Sequence, residues 1–321
     1  MQETVVSQNA GTDITTRLSQ DDLREGWAEL GRTPRVLATL KMGAKTDLGR
    51  VRENNEDKFD FFEPEDLAVL ASKGAFYAVA DGMGGHSAGQ IACEMALKTA
   101  IQTFYGNPTS DIEASLRLAV QEANSLVYDT AQSITDRQGM GTTLTAAVIH
   151  EDQLTIAQVG DSRAYLLRDG SLTQITQDHS WVAEQVRLGV MTADEAQTSP
   201  FRNIITRSVG TAATVEADIA TRPLQAGDTV LLCSDGLTGH LDVSDIEAML
   251  LEHAPSVAAM HLVEEANRRG GRDNITVLIL SVRGLAPYEG TSGAAPEPDG
   301  ASDSEASAAA KPEKRGWARR K

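Results

Sequence analysis

Several features that would assign a chain to a particular protein class are scarce in this sequence. Among 321 residues there are two cysteines, 4% aromatic residues and no apolar run near the roughly 18 residues of a membrane-spanning helix. Cys93 lies in a helix-like stretch and Cys233 in a strand-like one, which indicates core residues in a reducing compartment rather than a disulfide framework. The polar N-terminus lacks the regions of a signal peptide. We therefore expect a cytoplasmic protein with no stable membrane insertion.

Basic residues are also fewer than acidic ones. Lys and Arg number 29 against 46 Asp and Glu, which gives a net charge of −17. This balance repels nucleic acids and anionic membranes, so neither is an expected partner without a local basic patch. The 41% hydrophobic content is enough for one large domain or two small ones. Because aromatic residues are few, the core should consist mainly of Val, Ile, Leu and Ala.

Composition divides the chain into three parts. Residues 1–35 are polar with one short helical candidate, SQDDLREGWAEL, which predicts either a poorly ordered arm or a docking segment. Residues 36–284 have the texture of a folded domain. Residues 285–321 are rich in Ala, Gly, Pro, Ser and acid, and they end in the basic stretch KPEKRGWARRK. This last part is either a solubilising disordered tail or a weak contact for an anionic surface or an acidic partner.

The middle part alternates between pairs of strands and pairs of helices. Six apolar or β-branched runs predict strands: FYAVA, TTLTAAVIH, QLTIAQVG, RAYLLRDG, DTVLLCS and NITVLILSV. Four longer periodic stretches predict helices: SAGQIACEMALKTAIQTFY, DIEASLRLAVQEANSLVYDTAQSI, VSDIEAMLLEH and SVAAMHLVEEANRR. This order favours an α+β fold in which helical hairpins cover sheets, rather than strict βαβ winding.

Carboxylates recur at the boundaries of these strands. The positions are Asp81, Asp161, Asp235, Asp273 and the pair Glu56-Asp57. Each one alone is explained by a turn, because turns favour Asp and Gly. The recurrence without a nearby lysine is better explained by hard divalent cations such as Mg²⁺ or Mn²⁺, which prefer carboxylate, carbonyl and water oxygens. The absence of His and Cys ligand spacing argues against zinc.

Two such ions about 3.5–4 Å apart would activate water and clamp a phosphoryl group. Arg52 lies close enough in sequence to Asp57 to bind two phosphate oxygens beside such a site. The alternative is an ordinary surface arginine, and the sequence leaves both readings open.

An ordered series of motifs resembles the type-2C, metal-dependent serine/threonine protein phosphatases (PPM family) in their bacterial form. The motifs are GRVRENNEDKF, AVADGMGGHSAGQ, GMGTTLTA, VGDSRAYLLRDG, TQDHSWVAEQVRLGVMT, PFRNIITRSVG, LLCSDGLTGHL and GRDNITVLIL. The resemblance covers roughly residues 43–283. It implies a four-layer αββα fold, in which a central β-sandwich of two antiparallel sheets is flanked by helical hairpins. It also implies hydrolysis of phosphoserine and phosphothreonine by in-line attack of a metal-bridging hydroxide.

The resemblance further implies roles for the carboxylates. Asp81 should bridge two Mn²⁺ or Mg²⁺ ions, and the carbonyl of Gly82, with Asp235 and Asp273, should serve one of them. Asp57 should serve the other ion. The remaining implied residues are Asp161, which with Asp235 would hold a third, weaker ion, Arg52 for the substrate phosphate, and Glu56 and Asn274 as supports for the ligands.

Two positions depart from the family pattern. Animal and plant members usually have a histidine after the Asp-Gly as general acid, whereas this chain has Met83 there. His86 is the natural substitute, and the alternative is a structural histidine that caps the following helix. Bacterial relatives often have His-Pro where this chain has Ser199-Pro200, in a flap near the substrate path, so substrate choice or turnover could differ there.

Three other functions compete with an active protein phosphatase. A catalytically silent regulatory or partner-binding domain of the same fold would be expected to lose metal carboxylates, and all five aspartates are present. A scaffold acting through its two terminal parts is compatible with phosphatase activity. A hydrolase of small phosphate esters would use the same metal site. The expected partners are phosphorylated proteins and serine/threonine kinases, and we expect a monomer.

Overall fold

The computed structural model describes Gln20, residues 32–85 and residues 88–289. Within these ranges, two five-stranded antiparallel sheets form the centre of the fold. The first sheet has the order β10-β7-β6-β3-β2, built from Asp218–Pro223 (β10), Gln153–Val159 (β7), Leu144–His150 (β6), Ala75–Ala80 (β3) and Lys58–Phe62 (β2). The second sheet has the order β1-β12-β11-β8-β9, built from Val36–Asp47 (β1), Ile275–Pro287 (β12), Thr229–Cys233 (β11), Arg163–Arg168 (β8) and Ser171–Gln174 (β9). A separate pair of two-residue strands joins Gly82–Met83 (β4) to Gly141–Thr142 (β5).

Two long helical hairpins flank the sandwich. The helices are Leu67–Lys73 (α1), Ala88–Gly106 (α2), Ile112–Ser133 (α3), Trp181–Arg187 (α4), Ala193–Thr198 (α5), Asp235–Thr238 (α6), Val243–Glu252 (α7) and Pro255–Arg268 (α8). The α2–α3 hairpin packs in one apolar cluster with the first sheet, and the α7–α8 hairpin packs in another with the second sheet. The predicted α+β, four-layer αββα fold is confirmed.

The alternation of side chains along β3 shows how the layers are filled. Tyr77 and Val79 belong to the apolar cluster between the two sheets, and Phe76 and Ala78 belong to the cluster under α2 and α3. All four are fully buried. A strand covered on both faces has no polar side, which explains why it appears in the sequence as a continuous apolar run.

In the two five-stranded sheets, the four strands that the sequence patterns missed are the edge strands. They are β1, β2, β9 and β10. Residues of β10 (DIATRP) are exposed except for Ile219, which is partly buried, so polar side chains interrupt the apolar pattern. The six predicted strands are the six central ones, whose residues are buried to a greater extent than those of the edge strands.

The predicted domain boundaries at residues 36 and 284 stay predictions. The first strand begins at Val36, and β12 continues to Pro287. Except for Gln20, the predicted helix in residues 19–30 lies outside the described residues, as does the tail after residue 289. No helix in the described ranges is long and apolar enough to cross a membrane.

Candidate metal centre

Strand pairing brings the predicted carboxylates to one end of the sandwich. In the first sheet, Lys58 pairs with Ala80, so Asp57 and Asp81 lie side by side at the end of that pair. Leu144 pairs with Val159 at the same end of the sheet, where the β7–β8 turn carries Asp161.

The second sheet delivers its carboxylates to the same place. Cys233, the last residue of β11, pairs with Val277 of β12 and with Arg163 of β8. Asp235 therefore follows β11, and Asp273 precedes β12, at the end where β8 begins after Asp161. The structure thus assembles all five predicted aspartates.

Threonine side chains and backbone groups fix the turn at Asp81. The backbone N–H of Asp81 donates to Thr143 Oγ1 at 2.9 Å, and Thr143 N–H donates back to the Asp81 carbonyl at 2.8 Å. The Thr142 hydroxyl donates to the same carbonyl at 2.9 Å. Thr143 Oγ1 also lies 2.7 Å from Ser162 Oγ. This connects the Asp81 turn to the turn that carries Asp161.

Burial and mutual repulsion disfavour the charged form of the clustered aspartates. Burial is the main cause that raises the pKa of Asp57 to about 7; hydrogen bonds from Ser234 and Thr276 oppose the rise, and the charges of Asp235 and Asp273 add to it. Burial, followed by the charge of Asp235, also raises the pKa of Asp161 to about 7.

Asp81 and Asp235 show the same effect, although their side chains are partly exposed to solvent. Burial raises the pKa of Asp81 well above its usual range, and the other four aspartates raise it further. Burial and the charge of Asp273 raise the pKa of Asp235. A cation among these groups would relieve the repulsion.

Two oxygens of the cluster lack any hydrogen-bond partner although they are buried. These are Oδ1 of Asp57 and Oδ1 of Asp161. A buried acceptor without a donor costs free energy, and such an atom in a native structure calls for an explanation such as a bound ion or water. The donor set of carboxylates without histidine or thiolate fits Mg²⁺ or Mn²⁺.

The arrangement is not fully formed for metal ligation. Among the described residues, no group of three or more His, Cys, Asp or Glu side chains could hold a metal ion as it stands. In addition, Arg52 Nη2 donates to Asp273 Oδ2 at 2.7 Å, so the carboxylate of Asp273 already has a cationic partner. Asp273 would have to exchange this ion pair for a metal ion, and that would free the guanidinium of Arg52.

Two glycines are required by close approaches around the cluster. A Cβ on Gly82 would meet the carbonyl oxygen of Gly89 at the start of α2. A Cβ on Gly236, next to Asp235, would fall on the carbonyl oxygen of Asn274. The bare backbone therefore lets β4 and α6 pack against the segments that carry the other ligands.

Glu56 and Asn274 are linked by a hydrogen bond from a backbone N–H to a side-chain oxygen. Glu56 N–H donates to Asn274 Oδ1 at 2.8 Å, and Asn274 N–H donates to Asp273 Oδ1 at 2.9 Å. The side-chain amide of Asn274 also donates to the carbonyls of Leu48 and Asn54. Asn274 therefore holds the loop before Asp57 against the start of β12. Its role as a support for metal ligands stays a prediction.

The predicted general acid cannot be placed. His86 lies outside the described residues, and its role stays a prediction. Met83, which stands in the position of the usual histidine, pairs with Gly141 in the two-residue sheet. In the flap, Ser199 is buried and its hydroxyl accepts from Phe201 N–H at 3.2 Å.

His179 was not predicted from the sequence, and it connects β10 to the turn that carries Asp161. The backbone N–H of His179 donates to the Gly160 carbonyl at 2.9 Å, and the backbone N–H of Gly160 donates to the ring Nδ1 of His179 at 3.1 Å. Because Nδ1 is an acceptor, the proton of the neutral ring is on Nε2, which lies 3.1 Å from Asp218 Oδ2. The only signal in the sequence was its place in the TQDHS motif, two residues before α4.

The buried His179 gives stability a dependence on pH. Burial lowers its pKa, and the nearby charge of Arg207 lowers it further, against the raising effects of Asp218 and Asp178. Since the unfolded chain binds the proton more readily, stability is full above about pH 6.5 and falls as the pH drops below it. We expect His179→Gln to flatten this part of the curve, by at most about 1.4 kcal/mol per pH unit.

The measurement is chemical denaturation of both proteins between pH 7.5 and 5. Gln keeps a group that accepts from Gly160 and donates to Asp218, so the comparison isolates the charge. If the free energy of unfolding changed equally with pH in wild type and in His179→Gln, His179 would not be the source of this pH dependence.

Comparisons with known proteins agree with the fold. The family model described as Protein phosphatase 2C matches residues 50–276. A curated serine/threonine phosphatase stp of Listeria welshimeri is 42% identical over 241 residues, which cover 74% of this chain and 93% of that protein. The chain belongs to the protein phosphatase 2C family.

Solved structures support the same assignment. Serine/threonine phosphatase Stp1 from Staphylococcus aureus aligns with a TM-score of 0.72 at 33% identity, over 79% of this chain and 99% of that one. The catalytic domain of the serine threonine protein phosphatase PstP, solved in complex with two manganese ions, aligns with a TM-score of 0.67 at 37% identity, over 76% and 99%. PstP of Mycobacterium tuberculosis is also a curated relative, 40% identical over 250 residues.

Proposed function

We propose that the protein is a metal-dependent phosphoprotein phosphatase that hydrolyses phosphoserine and phosphothreonine. The observation that carries the proposal is the cluster of five aspartates at one end of the sandwich, with two buried carboxylate oxygens that have no donor. Membership of the protein phosphatase 2C family supports it. When bound, two Mn²⁺ or Mg²⁺ ions supply a nucleophile from water at neutral pH and neutralise the phosphoryl oxygens.

The residues that would hold the ions come from both sheets. Asp57 and Asp81 extend from the first sheet, and Asp235 and Asp273 from the second. The carbonyl of Gly82 would add an oxygen ligand, because no Cβ hinders its approach. Asp161, with Asp235, would hold a third and weaker ion. The structure of the relative PstP contains two manganese ions, which supports two metal ions in the centre of this protein.

Arg52 would bind and orient the phosphate of the substrate. Its side chain is 53% exposed and forms an ion pair with Asp273. The guanidinium is held at the edge of the cluster and can offer two N–H groups to a phosphoryl group once Asp273 turns away. His86 would serve as general acid.

We expect Arg52→Ala to raise the KM for a phosphopeptide about tenfold or more, because a charge-assisted contact with the phosphate is lost. Arg52→Lys should recover part of this loss, since a lysine keeps the charge without the fork geometry. Steady-state kinetics at saturating Mn²⁺ measures both. Arg117→Ala, on the exposed face of α3, is the matched control. A KM unchanged in Arg52→Ala would remove Arg52 from the substrate site.

The substrate class is tested with three substrates at matched concentrations in Mn²⁺. The proposal predicts hydrolysis of phosphoserine and phosphothreonine peptides well above that of a phosphotyrosine peptide. Faster hydrolysis of small phosphate esters than of any peptide would favour a small-molecule hydrolase instead. A folded protein that binds Mn²⁺ and hydrolyses none of them would favour a regulatory binding domain.

We also propose that the protein acts on phosphoproteins as a monomer in the cytoplasm, in opposition to serine/threonine kinases. The net charge of −17 favours protein partners over nucleic acid. Co-expression with a serine/threonine kinase, followed by phosphoprotein analysis with and without active phosphatase, tests the opposition. Unchanged phosphorylation of every kinase product would contradict it.

A further inference from the structure

Ser234 stands at the N-cap position of α6 without capping the helix. Serine is favoured at this position because its oxygen accepts from an N–H in the first helical turn. Here the side chain makes no such hydrogen bond. The hydroxyl instead donates to Oδ2 of Asp57 at 2.6 Å, across 177 residues of sequence.

The direction of this hydroxyl is fixed by the neighbouring strand. Ser234 Oγ accepts from Thr276 N–H at 3.0 Å, and Ser234 N–H donates to the Thr276 carbonyl at 3.0 Å. With its acceptor position taken by Thr276, the hydroxyl directs its hydrogen to Asp57. Ser234 is fully buried, so no water competes for the contact.

The result is a carboxylate with two unlike oxygens. Oδ2 of Asp57 accepts from Ser234, whereas Oδ1 is buried and has no partner within hydrogen-bonding geometry. Ser234 also immediately precedes Asp235 in the chain. The same residue therefore connects the ligand carried by the loop before β2 to the ligand carried by the end of β11.

We propose that Ser234 is a positioning residue for the metal centre, which holds Asp57 in the orientation that presents Oδ1 to a divalent cation. The inference rests on the proposed function for the identity of the site. Ser234 touches neither substrate nor cation and acts through Asp57. A hydrogen bond to the far oxygen of a ligating carboxylate orients the carboxylate, and loss of such a partner typically weakens metal binding 10–100-fold.

The test is the Kd of Mn²⁺ measured by calorimetry on the full chain in the absence of substrate. Ser234→Ala should bind Mn²⁺ at least tenfold more weakly than wild type. Ser234→Cys is similar in size and has a weaker donor, so it should fall between the two. The order wild type, Ser234→Cys, Ser234→Ala keeps the proposal testable if the alanine variant folds poorly.

The matched control is Ser72→Ala. Ser72 is also fully buried, lies in α1, and its hydroxyl has no hydrogen-bond partner. This variant should bind Mn²⁺ as wild type does. Kinetics with the phosphopeptide add a second readout. In Ser234→Ala the kcat should fall at limiting Mn²⁺ and return to the wild-type value at high Mn²⁺. The KM for the phosphopeptide should stay within twofold of wild type.

Three results would overturn the proposal: Mn²⁺ affinity in Ser234→Ala within twofold of wild type, equal losses in Ser234→Ala and Ser72→Ala, or a lost kcat that high Mn²⁺ does not restore. Failure of the proposed function has a different signature. Wild-type protein would then bind Mn²⁺ in a manner that depends on Ser234 and yet hydrolyse no phosphopeptide.

Discussion

Asp81→Asn should reduce phosphatase activity in Mn²⁺ at least about a thousandfold, equivalent to about 4 kcal/mol of transition-state stabilisation. The reason is that Asp81 is close enough to the aspartates of both sheets to feel their charges and is the carboxylate expected to serve both ions. The same substitution should leave the metal-free protein at least as stable as wild type. Burial and four neighbouring carboxylates raise the pKa of Asp81, so a neutral amide of the same shape removes repulsion.

The two readouts are kinetics with a phosphothreonine peptide in Mn²⁺ and thermal unfolding in EDTA. Asp129→Asn, on the exposed face of α3, is the matched control and should change neither. Lower activity together with unchanged or higher stability would separate a catalytic effect from misfolding. Retention of a tenth of the activity, or a large fall of the Tm in EDTA, would contradict the role given to Asp81.

Gly236→Ala should destabilise the protein by about 3 kcal/mol, because the added methyl group falls on the backbone carbonyl of Asn274. For a domain of this size that corresponds to a fall in Tm of roughly 6–12 °C. Mn²⁺ affinity should fall about tenfold or more, since Asp235 precedes the site of the collision and Asp273 lies next to Asn274.

Thermal unfolding and calorimetric titration with Mn²⁺ measure these effects. Gly284→Ala is the matched control, because a Cβ at Gly284 has open space around it. We expect this control to match wild type in both measurements. If the free energy of unfolding of Gly236→Ala lay within about 0.5 kcal/mol of wild type, α6 and β12 would separate more easily than the packing indicates.

The central part of the fold could be predicted from the sequence, and its edges could not. Strands β3 and β11 are covered on both faces, so they appear as unbroken apolar runs that end at Asp81-Gly82 and near Asp235-Gly236. Strand β10 pairs with β7 on one side only, and its mostly exposed residues carry no periodic apolar signal. Edge strands depend on a neighbour for their structure, and a local pattern cannot report the neighbour.

The ligand candidates at the site were predictable, and the residues that support them were not. An aspartate at a strand end is a local signal, as at Asp81 and Asp273. The contact of Ser234 with Asp57 spans 177 residues, and the contact of His179 with Asp218 spans 39. Such pairs exist only once the two sheets have assembled. The position of a supporting side chain therefore has to be read from the structure.

The most direct test of the account is a titration of metal-free wild-type protein with Mn²⁺ while hydrolysis of a phosphothreonine peptide is followed in the same samples. We predict no hydrolysis in EDTA and activity that rises to its maximum as two Mn²⁺ ions bind per chain. Hydrolysis that persists in EDTA, or full occupancy of two sites by Mn²⁺ in a folded protein without hydrolysis, would contradict the account.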